Sequence, residues 1–295
     1  MNTIHTSKKI LIAGAGQFGR SAATLLNTEE LQIIGLSDNN PALWNTCFHH
    51  PIQGSVPILS PQQALELNPD LVLTGVIDEE RTEELILQFR SLGYTGEFLT
   101  LRSLYLHLDI RSSVLLRLAT RIHDLKIQGV VAELGVYKGD LARKLNALFP
   151  DRDLYLFDTF EGFSCNDIDI ETEKDCSKAA EGDFSDTSVE LVRSRMPHPQ
   201  QVVFRKGYFP DTAVGLEDTT FALVSLDADL YAPILAGLRF FWPRLSKGGM
   251  ILLHDYGNQR FHGARQAVEA FENENGTIAL VPLCDLHGSA VLIKG

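Results

Sequence analysis

The sequence has no stretch of about 18 apolar residues, the length a membrane-spanning helix needs. Its opening, MNTIHTSKK, lacks the apolar centre and small-residue cleavage site of a secretion signal. A cytoplasmic location is therefore expected. No run of Lys or Arg occurs either: 26 basic residues stand against 38 acidic ones, for a formal net charge of -12. Neutralising phosphates takes a concentrated basic face, so no nucleic-acid partner is expected, and the same acidity disfavours anionic membrane surfaces. Cysteine is scarce: Cys47, Cys165, Cys176 and Cys284 are widely spaced, with no CxxC pair. That fits reduced thiols better than a disulfide framework or a zinc site. What remains is the composition of an ordinary soluble enzyme, and 295 residues exceed the usual size of one domain, so two cores are expected.

The first unit, residues 1–100, alternates strands and helices: KILIA, a helix over 17–28, LQIIGLSD, VPIL, a helix near 61–67, LVLTGV, a helix near 79–92, and EFLT. That pattern predicts a small Rossmann-like parallel sheet. Residues 101–127 carry Leu104, Leu108, Val114, Leu115, Leu118 and Ile122 at mainly helical spacing, the pattern of a helical connector packed between two cores. A second unit, 128–295, repeats the alternation: strand 130–134, helix 139–148, LYLFD, helix 186–196, QVVFR, FALVSLD, helix 231–245, MILLH and helix 263–273. It closes with TIALVPL and SAVLI around a short CDLHG turn, which predicts a doubly wound seven-stranded α/β sheet whose last strand runs antiparallel. Pro243 sits near the end of the 231–245 helix and blurs that boundary. Between Phe163 and Asp186 the chain turns polar and acidic, and reads as a mobile lid over the crevice.

Each unit opens on a glycine pattern. In GAGQFG, Gly14 would allow a tight turn, Gly16 the approach of a pyrophosphate, and Gly19 close helix packing. Asp38 ends the next strand, where a carboxylate accepts ribose hydroxyls. The alternative is that these glycines serve only strand-to-helix packing in a degenerate nucleotide-binding fold. SDNNP followed by PIQGSVPILSPQQAL resembles the small N-terminal nucleotide-sugar-binding domain of bacterial sugar acetyltransferases, which implies a substrate-holding role for this unit. In the second unit, VVAELGVYKGD places Glu133, Gly135 and Gly139 after a strand, and Asp158 ends the next strand in LYLFDTFEGF. Together these resemble the S-adenosylmethionine site of a class I methyltransferase, with Tyr137, Thr159 and Phe160 counted among its cofactor-binding residues.

FALVSLDADLY then puts Asp227 and Asp229 at a strand end, and MILLHDYG puts His254 and Asp255 at the next. Neighbouring strand ends open onto one crevice. Acids gathered there repel unless a cation lies between them, and a hard ion such as Mg²⁺ would satisfy them through oxygen ligands. The plain alternative for Asp229 or His254 is a helix cap or a hydrogen bond at the strand end.

VAELGVYKGDLARKLN, LYLFDTFEGF, GDFSDTSVELVRSRM, KGYFPDT, LDADLYAPILAGLRFFWPRLSKGGMILLHDYG and GARQAVEAF, in this order over 128–295, resemble the macrocin O-methyltransferase family. The resemblance implies a Mg²⁺- and S-adenosylmethionine-dependent enzyme that methylates a sugar hydroxyl. Glu133, Gly135 and Gly139 would line the methionine side of the cofactor and Asp158 would hold its ribose. Asp227, His254 and Asp255 would hold the metal, and Asp227 or Asp229 would be the general base. Many relatives carry two adjacent acids where this chain has His254 and Asp255; imidazole is a poorer partner for Mg²⁺, so a weaker site or a softer ion such as Mn²⁺ is implied. The expected substrate is a small sugar or nucleotide-sugar, and self-association of copies stays open. Two other readings compete: an NAD-dependent oxidoreductase using Gly14, Gly16 and Asp38, and a non-catalytic binding protein, against which the four acids at 133, 158, 227 and 255 argue.

Overall fold

A computed structural model describes residues 7–174, 176–177, 179–258 and 262–295. The opening MNTIHT, used above to argue against a secretion signal, lies outside them. The chain divides into two compact units between Asp109 and Ile110.

The first unit runs β1 (Lys8–Ala13), α1 (Gln17–Leu25), β2 (Leu31–Ser37), β3 (Thr46–His50), β4 (Gly54–Leu59), α2 (Pro61–Leu65), β5 (Leu71–Thr74), α3 (Glu79–Ser91), β6 (Glu97–Thr100) and α4 (Leu101–His107). The strands form one sheet in the order β3-β4-β2-β1-β5-β6. Ile10, Leu11, Ile12 and Ala13 are fully buried, as central parallel strands covered on both faces require. The sheet departs from the all-parallel expectation at β3, which pairs antiparallel with β4. TCFHH escapes sequence reading because it is an edge strand that buries little besides His50.

The second unit comprises α5 (Ile110–Asp124), β7 (Val130–Leu134), α6 (Asp140–Leu148), β8 (Leu154–Asp158), α7 (Cys165–Glu173), α8 (Val189–Ser194), β9 (Val202–Lys206), β10 (Phe221–Leu226), α9 (Tyr231–Phe241), β11 (Leu245–Leu253), α10 (Gly263–Asn275), β12 (Ala279–Pro282) and β13 (Ala290–Ile293). The sheet order is β12-β13-β11-β10-β7-β8-β9. β13 runs antiparallel to both its neighbours, and the other pairings are parallel. Side chains alternate across the sheet. Val131, Leu223 and Leu252 pack under α5 and α6. Leu134, Val224 and Leu253 pack under α9 and α10. The segment 101–127 is thus two helices, α4 in the first unit and α5 in the second.

The acidic stretch after Phe163 corrects the lid expectation. α7 is a helix packed on α9, and Glu171 is buried, its Oε1 accepting the Tyr231 N–H at 2.6 Å. This caps α9, whose own N-terminal flanking residue, Leu230, offers no side-chain acceptor. The Ser164 hydroxyl caps α7 and also donates to Asp167 Oδ2 at 2.8 Å, while the Tyr208 hydroxyl donates to Asp167 Oδ1 at 2.7 Å. α7 is held by polar contacts rather than an apolar stripe, so periodicity does not reveal it. Residues 175 and 178 of that stretch lie outside the described residues.

Candidate active site

β7 lies at the topological switch of the second sheet: the chain moves outward to β8 on one side and returns through β10 on the other. Crevices form beyond the carboxyl ends of such strands. Glu133 points to the α5 and α6 face, as does Ser225, its partner in register on β10. Glu133 is 1% exposed and its Oε2 has no hydrogen-bond partner. Burial, then the charge of Asp227, pushes its carboxyl well above the usual carboxylate range. Gly135 follows with φ +85°, and a Cβ there would stand 2.2 Å from the Asp227 carbonyl oxygen. The close crossing lets the Asp227 N–H donate to the Leu134 carbonyl at 2.8 Å.

The three predicted metal ligands, Asp227, His254 and Asp255, meet here together with the candidate base Asp229. Ligand atoms of Asp227, Asp229, His254 and Asp255 all lie within 4.8 Å of one another. His254 Nδ1 lies 2.8 Å from Asp227 Oδ1 and 3.0 Å from Asp255 Oδ2, between the two oxygens without lining up on either. Asp229 (φ +57°) and Asp255 (φ +58°) adopt left-handed backbone, a conformation that costs a non-glycine residue energy and clusters at functional sites.

Two residues at this site carry no sequence signal. Arg111, on the first turn of α5, places Nη2 2.9 Å from Asp227 Oδ2, and its Nε is buried without a partner. Its partner is 116 positions away, so the local pattern gives only an amphipathic helix. His287, in the turn between β12 and β13, sets its ring against that of His254, with centroids 5.1 Å apart and planes tilted by 34°.

Burial opposes ionisation of Asp227, yet Arg111 and His254 hold its carboxyl far below the usual range. Asp229 is driven the other way by burial, by Asp227, and by a hydrogen bond with Asp255. Burial lowers His287, and the charge of His254 adds to that. Burial also disfavours the His254 imidazolium, but the two carboxylates outweigh it and raise its pKa to about 10. A raised folded-state value stabilises fully below the unfolded pKa of about 6.5 and is lost as pH climbs toward 10. Metal-free protein should therefore lose stability over this range, at up to roughly 1.4 kcal/mol per pH unit from this group. Thermal unfolding in chelator, with His254→Gln subtracted, checks it; identical pH profiles for the two proteins would show that His254 carries no extra proton.

Asp158 sits at the end of β8. Its Oδ2 accepts the N–H groups of Val136 (2.7 Å) and Tyr137 (2.9 Å), and its Oδ1 accepts that of Phe160 (2.7 Å). A carboxylate has about four acceptor positions, so one is left for an outside donor. Thr159 turns its hydroxyl to the Gly162 carbonyl, and the Phe160 ring is buried in the core under α5 and α6. Tyr137 donates its hydroxyl to Asp186 Oδ1 at 2.6 Å, and Gly139 (φ +77°) lies against Val192. Asp158 therefore ties the glycine loop of β7 to the end of β8.

The first unit uses the same device. Asp38 Oδ2 accepts the Ala15 N–H at 2.8 Å and Oδ1 accepts that of Asn40 at 2.9 Å. A Cβ on Gly19 would lie 1.9 Å from the Gly14 carbonyl oxygen, whereas Gly16 faces open space. Packing thus dictates Gly19 and leaves Gly16 accessible. Among the described residues no helix is long and apolar enough to cross a membrane.

Comparison with known proteins agrees with this architecture. The chain is 26% identical over 175 residues to the 8-demethyl-8-(2,3-dimethoxy-alpha-L-rhamnosyl)-tetracenomycin-C 4'-O-methyltransferase of Streptomyces olivaceus, covering 56% of this chain and 65% of that protein. It is 27% identical over 162 residues to the mycinamicin III 3''-O-methyltransferase of Micromonospora griseorubida, covering 51% and 63%. The chain thus spans less than two thirds of the length of these curated relatives. The solved structure of the O-methyltransferase NovP superposes with a TM-score of 0.51 at 20% identity, over 62% of this chain and 79% of that one, which establishes the fold. The family model for macrocin O-methyltransferases matches residues 110–293, the whole of the second unit but its last two residues. On that match the chain belongs to the macrocin O-methyltransferase family.

Proposed function

We propose that the second unit transfers a methyl group from S-adenosylmethionine to a hydroxyl of a sugar or nucleotide-sugar, with a divalent ion assisting. The observation that carries this reading is the convergence of Glu133, Asp227, Asp229, His254 and Asp255 at the carboxyl ends of β7, β10 and β11. The unpartnered, buried Glu133 Oε2 beside the glycine turn fits a cationic group such as the cofactor's ammonium. The donor set of three carboxylates and an imidazole fits a divalent ion. When both are bound, the chemistry supplied is an electrophilic sulfonium methyl group and polarisation of the acceptor hydroxyl.

The protein's own residues do the rest. Glu133 holds the cofactor's amino end, and the remaining acceptor position of Asp158 takes one ribose hydroxyl while the other three keep the loop in place. Asp227 anchors the site: Arg111 faces one of its oxygens and, in the metal-free protein, the His254 imidazolium faces the other, its extra proton to be released on binding an ion. Asp229 would be the general base: it is not tied to the guanidinium, and although its surroundings favour the neutral form in the metal-free protein, beside the charge of a bound dication it would return to the carboxylate that accepts the proton. Alignment of acceptor and methyl donor supplies much of the rate, of order 7–11 kcal/mol in well-oriented systems.

The test is titration calorimetry with S-adenosylhomocysteine, with and without Mn²⁺, followed by transfer of labelled methyl to a panel of nucleotide-sugars. Asp158→Ala should weaken binding of S-adenosylhomocysteine at least tenfold, because it removes a ribose contact and releases three backbone N–H groups. Asp158→Asn, which can accept but not at every position, should fall between. Absence of binding to wild type would sink the methyltransferase reading.

For the first unit we propose a nucleotide or nucleotide-sugar site at the GAGQFG loop, with Gly16 the accessible position and Asp38 retaining two acceptor positions. The oxidoreductase reading would make NAD its ligand. It ranks below because the cluster of buried and half-buried acids with shifted proton affinities lies in the second unit.

A further inference from the structure

Resting on the metal reading above, we infer that His287 is a direct ligand and that the ion is a first-row transition-series dication with affinity for nitrogen, rather than Mg²⁺. Ligand atoms of His254, Asp255 and His287 lie within 4.8 Å of one another, a second group sharing His254 and Asp255 with the carboxylate-rich one. Ligands about 2.1 Å from one ion stand at most about 4.2 Å apart. A small side-chain rotation therefore brings this triad onto one centre.

The placement of His287 is built into the backbone. The Gly257 N–H donates to the Gly288 carbonyl at 2.7 Å, and a Cβ on Gly288 would stand 2.7 Å from the Gly257 Cα. The turn after β11 and the turn before β13 therefore touch backbone to backbone, next to His254 and Asp255 on one side and His287 on the other. Asp285 stiffens the second turn, accepting the Ser289 N–H at 2.7 Å and the Ser289 hydroxyl at 2.6 Å. At the other end of the site, Arg111 covers Asp227 Oδ2, so the oxygen-rich side already has a cation against it. Two imidazoles and a carboxylate suit transition-series ions, whereas Mg²⁺ demands oxygen and keeps its waters. Arg111 then acts from outside the ligand set, fixing the orientation of Asp227 as hydrogen-bonded partners of metal-binding carboxylates do.

The experiment uses the full chain stripped with chelator and titrated with Mn²⁺, Co²⁺ and Mg²⁺ by calorimetry. Wild type should bind Co²⁺ and Mn²⁺ at least tenfold more tightly than Mg²⁺. His287→Ala should lose at least tenfold in Co²⁺ affinity and change Mg²⁺ affinity less than twofold. Pulsed electron paramagnetic resonance of Mn²⁺-loaded wild type, which needs no variant, should detect two directly bound imidazole nitrogens. One nitrogen, or unchanged Co²⁺ affinity in the variant, would overturn the role of His287 while leaving an ion at the carboxylates. Failure of wild type to bind any of the three ions would instead remove the metal reading, and this inference with it.

Discussion

Asp227→Asn is expected to cut methyl transfer to the best acceptor about a thousandfold, or ~4 kcal/mol in barrier, and to weaken Mn²⁺ binding by at least the roughly 10–100-fold that follows loss of a residue merely supporting a metal ligand. The same change should destabilise the second unit by about 1–3 kcal/mol: both partners are about one-fifth exposed, so solvent screens part of the loss that a fully buried pair would show. Both effects come from one arrangement. Arg111 and His254 each face an Asp227 oxygen, and an amide leaves the half-buried Arg111 without its counter-charge and His254 with Asp255 alone. Asp229→Asn separates the roles. Burial and its acidic neighbours already favour the neutral form of Asp229, so an amide of the same shape should cost less than about 1 kcal/mol of stability. Turnover should nevertheless fall by two orders of magnitude or more, because in the ion-loaded enzyme the dication's charge would hold Asp229 as the carboxylate that removes the acceptor proton. Urea unfolding and labelled-methyl assays on both variants check this. Equal destabilisation by the two substitutions would contradict the assignment of Asp227 as the anchor.

Gly135→Ala should be the most damaging of the conservative changes. Its φ of +85° already strains any L side chain, and the new methyl would stand 2.2 Å from the Asp227 carbonyl oxygen, well inside contact distance. The strand end that carries Asp227 must shift for the variant to fold. We expect about 3 kcal/mol or more of destabilisation, together with loss of both S-adenosylhomocysteine and Mn²⁺ binding, because Gly135 and Asp227 serve both sites. Gly215 provides the control: its φ of +86° is nearly identical, but nothing lies within 4 Å of the added carbon. Gly215→Ala should therefore cost only the backbone term, roughly 1–2 kcal/mol. Similar losses for the two variants would mean that conformation, not the crossing with Asp227, dictates the glycine.

Much of the second unit is legible in the residues themselves. Its central strands β7, β8, β10 and the end of β11 are short apolar runs with an acid at or just beyond the run end, where a parallel sheet opens its crevice. Glu133, Asp227 and Asp255 can be placed this way because burial of a strand on both faces leaves a plain signature. The misreadings have an equally physical origin. α7 buries Asp167 and Glu171 and is held by hydrogen bonds, so its sequence looks like solvent-exposed loop. β3 is an edge strand that keeps most of its residues exposed, and no apolar alternation marks it.

From the sequence by itself came two α/β units, most of the strands and helices in their succession along the chain, and the acids at the strand ends, since periodicity and turn chemistry are local properties of the chain. Only the tertiary structure decided what those acids face. Arg111 reaches Asp227 across 116 positions, and His287 reaches His254 through two turns pressed together at Gly257 and Gly288. Neither contact leaves a trace in local pattern, because packing at long range, not propensity, brings the groups together. The charge on each group follows from that packing: Asp227 and Asp229 are two residues apart in sequence, and their surroundings push them in opposite directions.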